Sequence, residues 1–205
     1  DRVLPAMSEK TSAEALRILE RKGVRVLLNR RMTGFENRHA LFEGGEPIAT
    51  CNLIWTSGVK CSAVKGLPLS ARQRAGRLAV DAFNRVKDCP DVFAVGDLAL
   101  MQDDPAYPNG HPQLARVAIS QGKRLARNLQ RIAEGKQPEA YRYRNRGVMA
   151  TVGRNHAFVE WGKLQFGGFV AWLAWSLVHI MFLLGIQGKI NVFWGWVWNY
   201  FGHDL

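Results

Sequence analysis

Cysteine is scarce in this sequence, and the little there is does not pair. The three residues, Cys51, Cys61 and Cys89, are widely spaced and odd in number. No CxxC occurs, which argues against a disulfide framework and against a zinc site. The histidines are scattered and no HExxH is found, so no metal is assigned. Acidic residues are short as well: Asp+Glu number 17 against 28 Lys+Arg, a net charge of +11. That excess suits an anionic partner such as lipid head groups or a phosphate-bearing cofactor. Nucleic acid is the obvious competitor, but no RRM, helix-turn-helix, KH or zinc-finger pattern accompanies the charge. The chain opens at Asp1 rather than Met and shows no signal-peptide pattern. We read it as a piece that begins inside a fold. Nothing in it matches GxGxxG, so a dinucleotide fingerprint is missing.

What is present is organised around residues 92–122. VFAVGD is an apolar run ending at Gly96 and Asp97. A loop rich in Pro, Asn and Gly follows from Pro105 to Pro112. Then QLARVAISQGKRLARNLQRIAE spaces Leu114, Ala118, Leu125, Leu129 and Ile132 at helical steps. Strand, turn, loop and helix in that order suit a cofactor cradle. Gly96 allows close backbone approach. Asp97, expected at the carboxyl end of a buried strand, can accept hydrogen bonds from a polyol. The helix aims its free N–H groups at whatever lies before it. A Gly-Asp after an apolar run is also an ordinary turn, and both readings stand on these residues alone.

Upstream, Thr11 to Glu14 fits a capping box opening a helix to Lys22, with Gly23 as its stop. Val24–Leu28 reads as a strand. Met32–Phe35 and Ala40–Glu43 read as a β pair, followed by a turn at 43–47. Asn52–Trp55 reads as an apolar strand ending at Thr56-Ser57-Gly58, and 76–81 as another. The expected fold class is α/β: part of a Rossmann-like flavoprotein with two dinucleotide-binding domains, followed by amphipathic membrane-anchoring helices. The expected boundaries are 1–60 for the second half of an NADH-binding domain, 61–155 for the C-terminal part of an FAD-binding domain, and 156–205 for the anchoring region.

Between Arg116 and Arg154 there are ten Lys/Arg and only Glu134 and Glu139 against them. Phe166–Ile186 then runs 21 residues without a formal charge, long enough to span a bilayer. Its aromatic residues fall at helical steps, as on interfacial helices. Six of the seven Trp lie beyond residue 160, three of them in Ile190–Phe201. A basic segment before an aromatic tail favours anionic lipid. Two core helices of a globular domain would also accommodate this pattern.

Taken together, NLIWTSGVK, GRLAVDAFNRV, PDVFAVGDLALM, HPQLARVAISQGKRLARNL, YRYRNRGVMATVGRNHA and GGFVAWLAWSLVHIMFLLG resemble type II NADH:quinone oxidoreductase, in that order and over nearly the whole chain. The resemblance is to the C-terminal half of such enzymes. It implies a monotopic flavoprotein, usually a homodimer, on the cytoplasmic face of bacterial membranes or in mitochondria. Such an enzyme passes a hydride from NADH to FAD and then reduces a membrane quinone without pumping protons. It implies that Gly96 and Asp97 hold the ribityl chain of FAD, that Leu114 and Ala115 meet its ring, and that Gly58 lies near the nicotinamide. The family usually carries Ala-Gln at the helix start and a Gln pair beyond it, near the quinone. Here those positions read Ala115-Arg116 and Ser120-Gln121. A family Lys is replaced by Arg146, ahead of Gly147 and Met149. Arg116, Gln121, Arg146 and Met149 are therefore the quinone candidates. Hydride transfer is the cofactor's chemistry, so no acid–base dyad is required and none is assigned. Two other readings remain: a non-catalytic membrane-binding fragment, and a related flavoprotein such as sulfide:quinone oxidoreductase, for which paired cysteines near the flavin would be needed.

Overall fold

The computed structural model describes residues 1–62, 64–145, 147–183 and 185–202. The chain forms two compact units. One joins Asp1–Leu53 to Asn145–Leu205, and the other is Ile54–Arg144.

In the first unit, helix α1 (Glu9–Arg21) starts one turn earlier than the capping box suggested. Ser8 is the N-cap, and its hydroxyl accepts from Thr11 N at 3.3 Å. The stop is where Gly23 predicts it. Gly23, at φ 79°, donates to Glu20 O, and Val24 N donates to Leu19 O, closing a Schellman motif. Val24 is spent on that closure, and residues 24–28 form a loop instead of the expected strand. β1 (Met32–Glu36) and β2 (His39–Phe42) pair antiparallel as expected. The expected turn at 43–47 is tighter, and Gly45–Ala49 adds β3 to the same sheet.

The C-terminal part of this unit holds a sheet that hydropathy did not reveal: β6 (Val148–Thr151), β7 (Ala157–Trp161) and β8 (Leu164–Gly168), an antiparallel meander. The intervening strands, β4 (Leu78–Val80) and β5 (Ala99–Met101), belong to the other unit. The two-residue alternation splits the meander's faces. Ala150 opposite Phe158 joins Val152, Met7, Ala15 and Ile18 under α1. Met149 opposite Val159 joins Ala157 and Ala171 of helix α3 (Phe169–Phe182), with Trp172 and Trp175. Helix α4 (Ile186–Phe201) follows. The apolar stretch that could have spanned a bilayer is thus divided: its first residues finish β8, and α3 has 14 residues. Among the described residues, no helix is long and apolar enough to cross a membrane.

One polar clamp ties α1 to the meander. Glu160 accepts from Ser8 N at 3.1 Å and from the hydroxyls of Ser8 and Thr11 at 2.6 Å each. Burial pushes this carboxyl up, but the bonds from Ser8 and Thr11 and the charge of Arg2 outweigh burial and hold it below its usual value. A lowered carboxyl contributes stability that is fully present above the unfolded-state value and is lost as pH falls through the folded one. Unfolding stability is therefore expected to drop in acid, below about pH 4, and the drop is expected to shrink in Glu160→Gln. Urea titrations of both proteins across that range check it, and an equal drop in both would place the linkage elsewhere.

In the second unit, β4 (Leu78–Val80) and β5 (Ala99–Met101) pair in parallel over a core of Ala71, Val86, Ala94 and Tyr141. Asn52–Trp55, expected as a strand, is irregular and crosses from one unit to the next, with Ile54 85% exposed. VFAVGD is also less regular than its apolar run suggests. Phe93 makes a single bridge to Arg85, and Ala94 N donates to Asn84 O. Gly96–Leu98 then form a tight 3-10 turn. Asp97 accordingly precedes β5 instead of ending a strand. Helix α2 (Ala115–Ala133) forms where the spacing placed it.

Candidate functional site

The turn at Gly96 is held from three sides. Gly96 sits at φ 68°, and a Cβ added there would lie 3.0 Å from the Ala118 side chain of α2. Only glycine fits this approach without strain. Gly96 N donates to Gln121 Oε1 at 2.7 Å. The next carbonyl, Asp97 O, accepts from Cys61 Sγ at 3.3 Å and from Gln113 Nε2 at 3.4 Å. These contacts bring the turn against the first turns of α2. The N-cap of α2 is Leu114, which supplies no side-chain cap, and the first turn contains no acid. An uncapped helix start offers unsatisfied N–H donors and a positive dipole end.

Asp97 points its carboxylate outward. It is exposed, and among the described residues its side chain makes no hydrogen bond or salt bridge. The half-buried Arg77 is close enough to feel the Asp97 charge. Burial draws that guanidinium below its ordinary value, while Cys61 and Asp97 oppose the shift. Its Nη2 donates to Ala99 O at 2.5 Å and to His111 O at 3.2 Å, tying the loop before α2 to β5.

Behind the turn lies a polar cluster that the sequence did not single out. His111 is 1% exposed, and its Nε2 is 3.0 Å from Asp104 Oδ2. Asp104 also accepts from Ala106 N at 3.1 Å and Tyr143 N at 3.2 Å. Burial pushes the Asp104 carboxyl up, but the bonds from His111, Ala106 and Tyr143 outweigh it, and its net displacement is downward. The rings of Tyr107, Tyr141 and Tyr143 surround the imidazole at 5.2, 5.3 and 6.0 Å between centroids. Tyr141 reaches α2 through Ser120, oxygen to oxygen at 2.6 Å. Asp104 and His111 lie seven residues apart in an irregular loop, where no periodicity marks a pair. The only cue was a His directly ahead of the Pro before α2.

Of the expected site residues, Gly96 and Asp97 lie on the turn, and Leu114 and Ala115 open the helix that packs against it. Gly58 lies in the same unit and is exposed, and among the described residues a Cβ added there would meet nothing within 4 Å. Arg116 is half-buried on α2. Gln121 is 1% exposed, and its amide is engaged at both ends, by Gly96 N and by His111 Nδ1 at 3.5 Å. Met149 is on β6, in the other unit. Arg146 lies outside the described residues.

The arrangement fits a flavin nucleotide on its own chemistry. A glycine turn allows close approach, an outward carboxylate accepts from hydroxyls, and a helix start faces negative charge.

The chain is 34% identical to the type II NADH:quinone oxidoreductase NdhA of Mycobacterium tuberculosis, over 98% of this chain and 44% of that protein. It is 26% identical to a mitochondrial internal alternative NAD(P)H-ubiquinone oxidoreductase of Arabidopsis thaliana, over 99% of this chain and 43% of that one. It therefore spans less than half the length of these curated relatives. Among solved structures, NDH2 from Plasmodium falciparum in complex with NADH superposes with a TM-score of 0.85 at 15% identity, over 98% of this chain and 56% of that one. At that identity the likeness concerns the fold. The family model of pyridine nucleotide-disulphide oxidoreductases matches residues 1–122. Since that match runs through the helix foot on which Gly96 packs, one assignment follows: the chain belongs to the pyridine nucleotide-disulphide oxidoreductase family.

Proposed function

We propose that this chain is the C-terminal part of an FAD-dependent NADH:quinone oxidoreductase, which passes a hydride from NADH by way of FAD to a membrane quinone without pumping protons. On this reading residues 1–60 complete an NADH-binding domain, 61–155 contribute to the FAD-binding domain, and 156–205 meet the membrane. The observation that carries it is the exposed Asp97 carboxylate, without a hydrogen bond or salt bridge among the described residues, on a turn cramped against α2. The likeness to quinone oxidoreductases over 98% of the chain supports the same reading.

FAD, when bound, supplies the hydride acceptor and the route for electrons to quinone. The chain's residues hold and orient. Asp97 accepts from the ribityl hydroxyls, Gly96 clears the approach, and the α2 start at Leu114 and Ala115 favours negative charge on the ring edge by about 0.3–2 kcal/mol. Gly58 stands on the nicotinamide side. Arg116, Arg146 and Met149 are carried as quinone candidates from the family resemblance, each taken by itself. Gln121 is better suited to support the cofactor turn, because its amide is already engaged. The test uses the full-length protein that carries this chain. It is expected to be yellow with bound flavin and to oxidise NADH with a soluble quinone. A colourless protein, or one inert to NADH, sinks the proposal.

The same reading places α3 and α4 at a lipid surface on the cytoplasmic face, in a homodimer. Two helices expose Val170, Leu177, Met181, Ile186, Trp198 and Phe201, each more than 60% accessible. Between the helices runs an apolar groove of about 700 Å³. Apolar patches of this kind mark interaction surfaces. Arg154 stacks over the Tyr200 ring at 4.7 Å and donates to the last carbonyls of α4, which anchors the end of that helix. The protein is expected to sediment with vesicles rich in anionic lipid, less so at high salt. Trp198→Glu is expected to weaken sedimentation about tenfold or more, since it places a charge in the apolar layer. Sedimentation unchanged by that substitution would remove these helices from the lipid contact. Lipid binding by a full-length protein that neither holds flavin nor oxidises NADH would favour the non-catalytic membrane-binding alternative.

A further inference from the structure

The buried cluster behind the turn is wired in one direction. Asp104 is an acceptor toward Ala106 N, Tyr143 N and the imidazole. With the carboxylate held ionised, the proton between it and His111 belongs on Nε2. A neutral ring then leaves Nδ1 bare, as an acceptor. Facing Nδ1 at 3.5 Å is Gln121 Nε2, which can only donate. The other end of that amide, Oε1, is thereby turned toward Gly96 and takes its N–H at 2.7 Å. Each member fixes the next: Asp104 the tautomer, His111 the face of the amide, Gln121 the backbone of the cofactor turn. Burial makes the order costly to break, for Asp104, His111 and Gln121 are all at most 4% exposed.

We propose that His111 is a positioning residue for the flavin site, acting through Gln121 on Gly96, and that Asp104 sets its tautomer. This rests on the assignment of the Gly96–Asp97 turn to the cofactor. Among the described residues, no hydrogen bond joins Asp104 or the His111 ring to the Asp97 carboxylate. The cluster acts by keeping Gly96 N–H occupied, so that the turn stays in the conformation that presents Asp97. A turn whose N–H has lost its acceptor is free to seek another, and the carboxylate moves with it.

Simple packing predicts something different. If the cluster only fills space, an isosteric Gln121→Glu is harmless and leaves the imidazole proton where it was. If it is a relay, the new carboxylate still accepts from Gly96, but its second oxygen faces Nδ1 and requires a donor there. A proton therefore appears on Nδ1.

The experiment has two arms. In the 205-residue chain, nitrogen NMR of labelled histidine reads the His111 tautomer, and amide exchange reads Gly96. Wild type is expected to carry its proton on Nε2 with a protected Gly96 amide. Gln121→Glu is expected to protonate Nδ1 and keep the protection. Gln121→Leu is expected to speed Gly96 exchange about tenfold or more. In the full-length flavoprotein, Gln121→Leu is expected to raise the flavin dissociation constant about tenfold to a hundredfold. His111→Phe is expected to raise it less, and Gln121→Glu to stay near wild type. A wild-type proton on Nδ1 overturns the relay. So does a ring unchanged by Gln121→Glu. Flavin affinity within twofold of wild type in Gln121→Leu, with Gly96 deprotected, overturns the coupling to the cofactor. A wild-type full-length protein without flavin sinks the functional reading and the cofactor half of this inference, while the NMR arm still decides the relay.

Discussion

Asp97→Ala is expected to strip flavin from the full-length protein while leaving its fold intact. The two effects separate because of how the turn is built. The contacts that hold residue 97 in place go to its backbone: Cys61 and Gln113 donate to its carbonyl. Alanine keeps that carbonyl. The carboxylate itself is exposed and makes no hydrogen bond or salt bridge among the described residues, so its removal leaves no buried partner behind. Surface changes of this kind move stability by about 0.5 kcal/mol or less. Binding is another matter. A carboxylate that accepts from ribityl hydroxyls makes charge-assisted bonds, each contributing about 1.5–3 kcal/mol. Losing one such bond weakens flavin about tenfold to a hundredfold. Arg154→Ala is the control. It removes a cation from the end of α4, in the other compact unit, and is expected to leave flavin content near wild type. Flavin absorbance per protein after gel filtration measures both. Equal content in the two variants would take Asp97 out of the cofactor site.

The features legible beforehand are those that local rules determine. α2 follows from apolar residues at helical steps, and the end of α1 follows from Gly23 in a left-handed position. The β1–β2 pair follows from two short apolar runs around a polar turn. Where the outcome depends on distant partners, the reading faltered. Val24–Leu28 has strand composition, but among the described residues no strand pairs with it, and its first N–H closes a helix instead. Asn52–Trp55 is apolar and yet largely exposed, so its hydropathy says nothing about a ladder. The β6–β8 meander was hidden by a charge-rich entry and by glycines that depress strand propensity. At the candidate site, Gly96 and Asp97 were visible because a glycine beside an acid is a local signature. The Asp104–His111–Gln121 wiring was not, since it joins a loop to a helix interior. Gln121 was assigned to the quinone by resemblance to the family's Gln pair, whereas its side chain is buried and engaged.

Gly96→Ala is expected to be far more damaging than Gly58→Ala, and the surroundings of the two glycines explain why. Both glycines lie in the left-handed region, Gly96 at φ 68° and Gly58 at φ 81°. A side chain there costs about 1–2 kcal/mol wherever it is placed. Gly58 has nothing within 4 Å of the added Cβ, so its alanine meets only that backbone term. At Gly96 the new methyl lies 3.0 Å from the Ala118 side chain. Ala118 belongs to a helix that cannot retreat without moving Gln121, which holds the same glycine's N–H. Overpacking against a fixed neighbour adds about 1–3 kcal/mol. Gly96→Ala is thus expected to cost about 2–5 kcal/mol by urea unfolding, against about 1–2 for Gly58→Ala. Adding Ala118→Gly isolates the steric part. On its own it loses about 1 kcal/mol of helix propensity, but combined with Gly96→Ala it opens the room the methyl needs. The double-mutant cycle is then expected to show a favourable coupling of about 1–3 kcal/mol. Strict additivity would mean that the backbone conformation alone demands glycine here, and that the close approach of the turn to α2 constrains nothing.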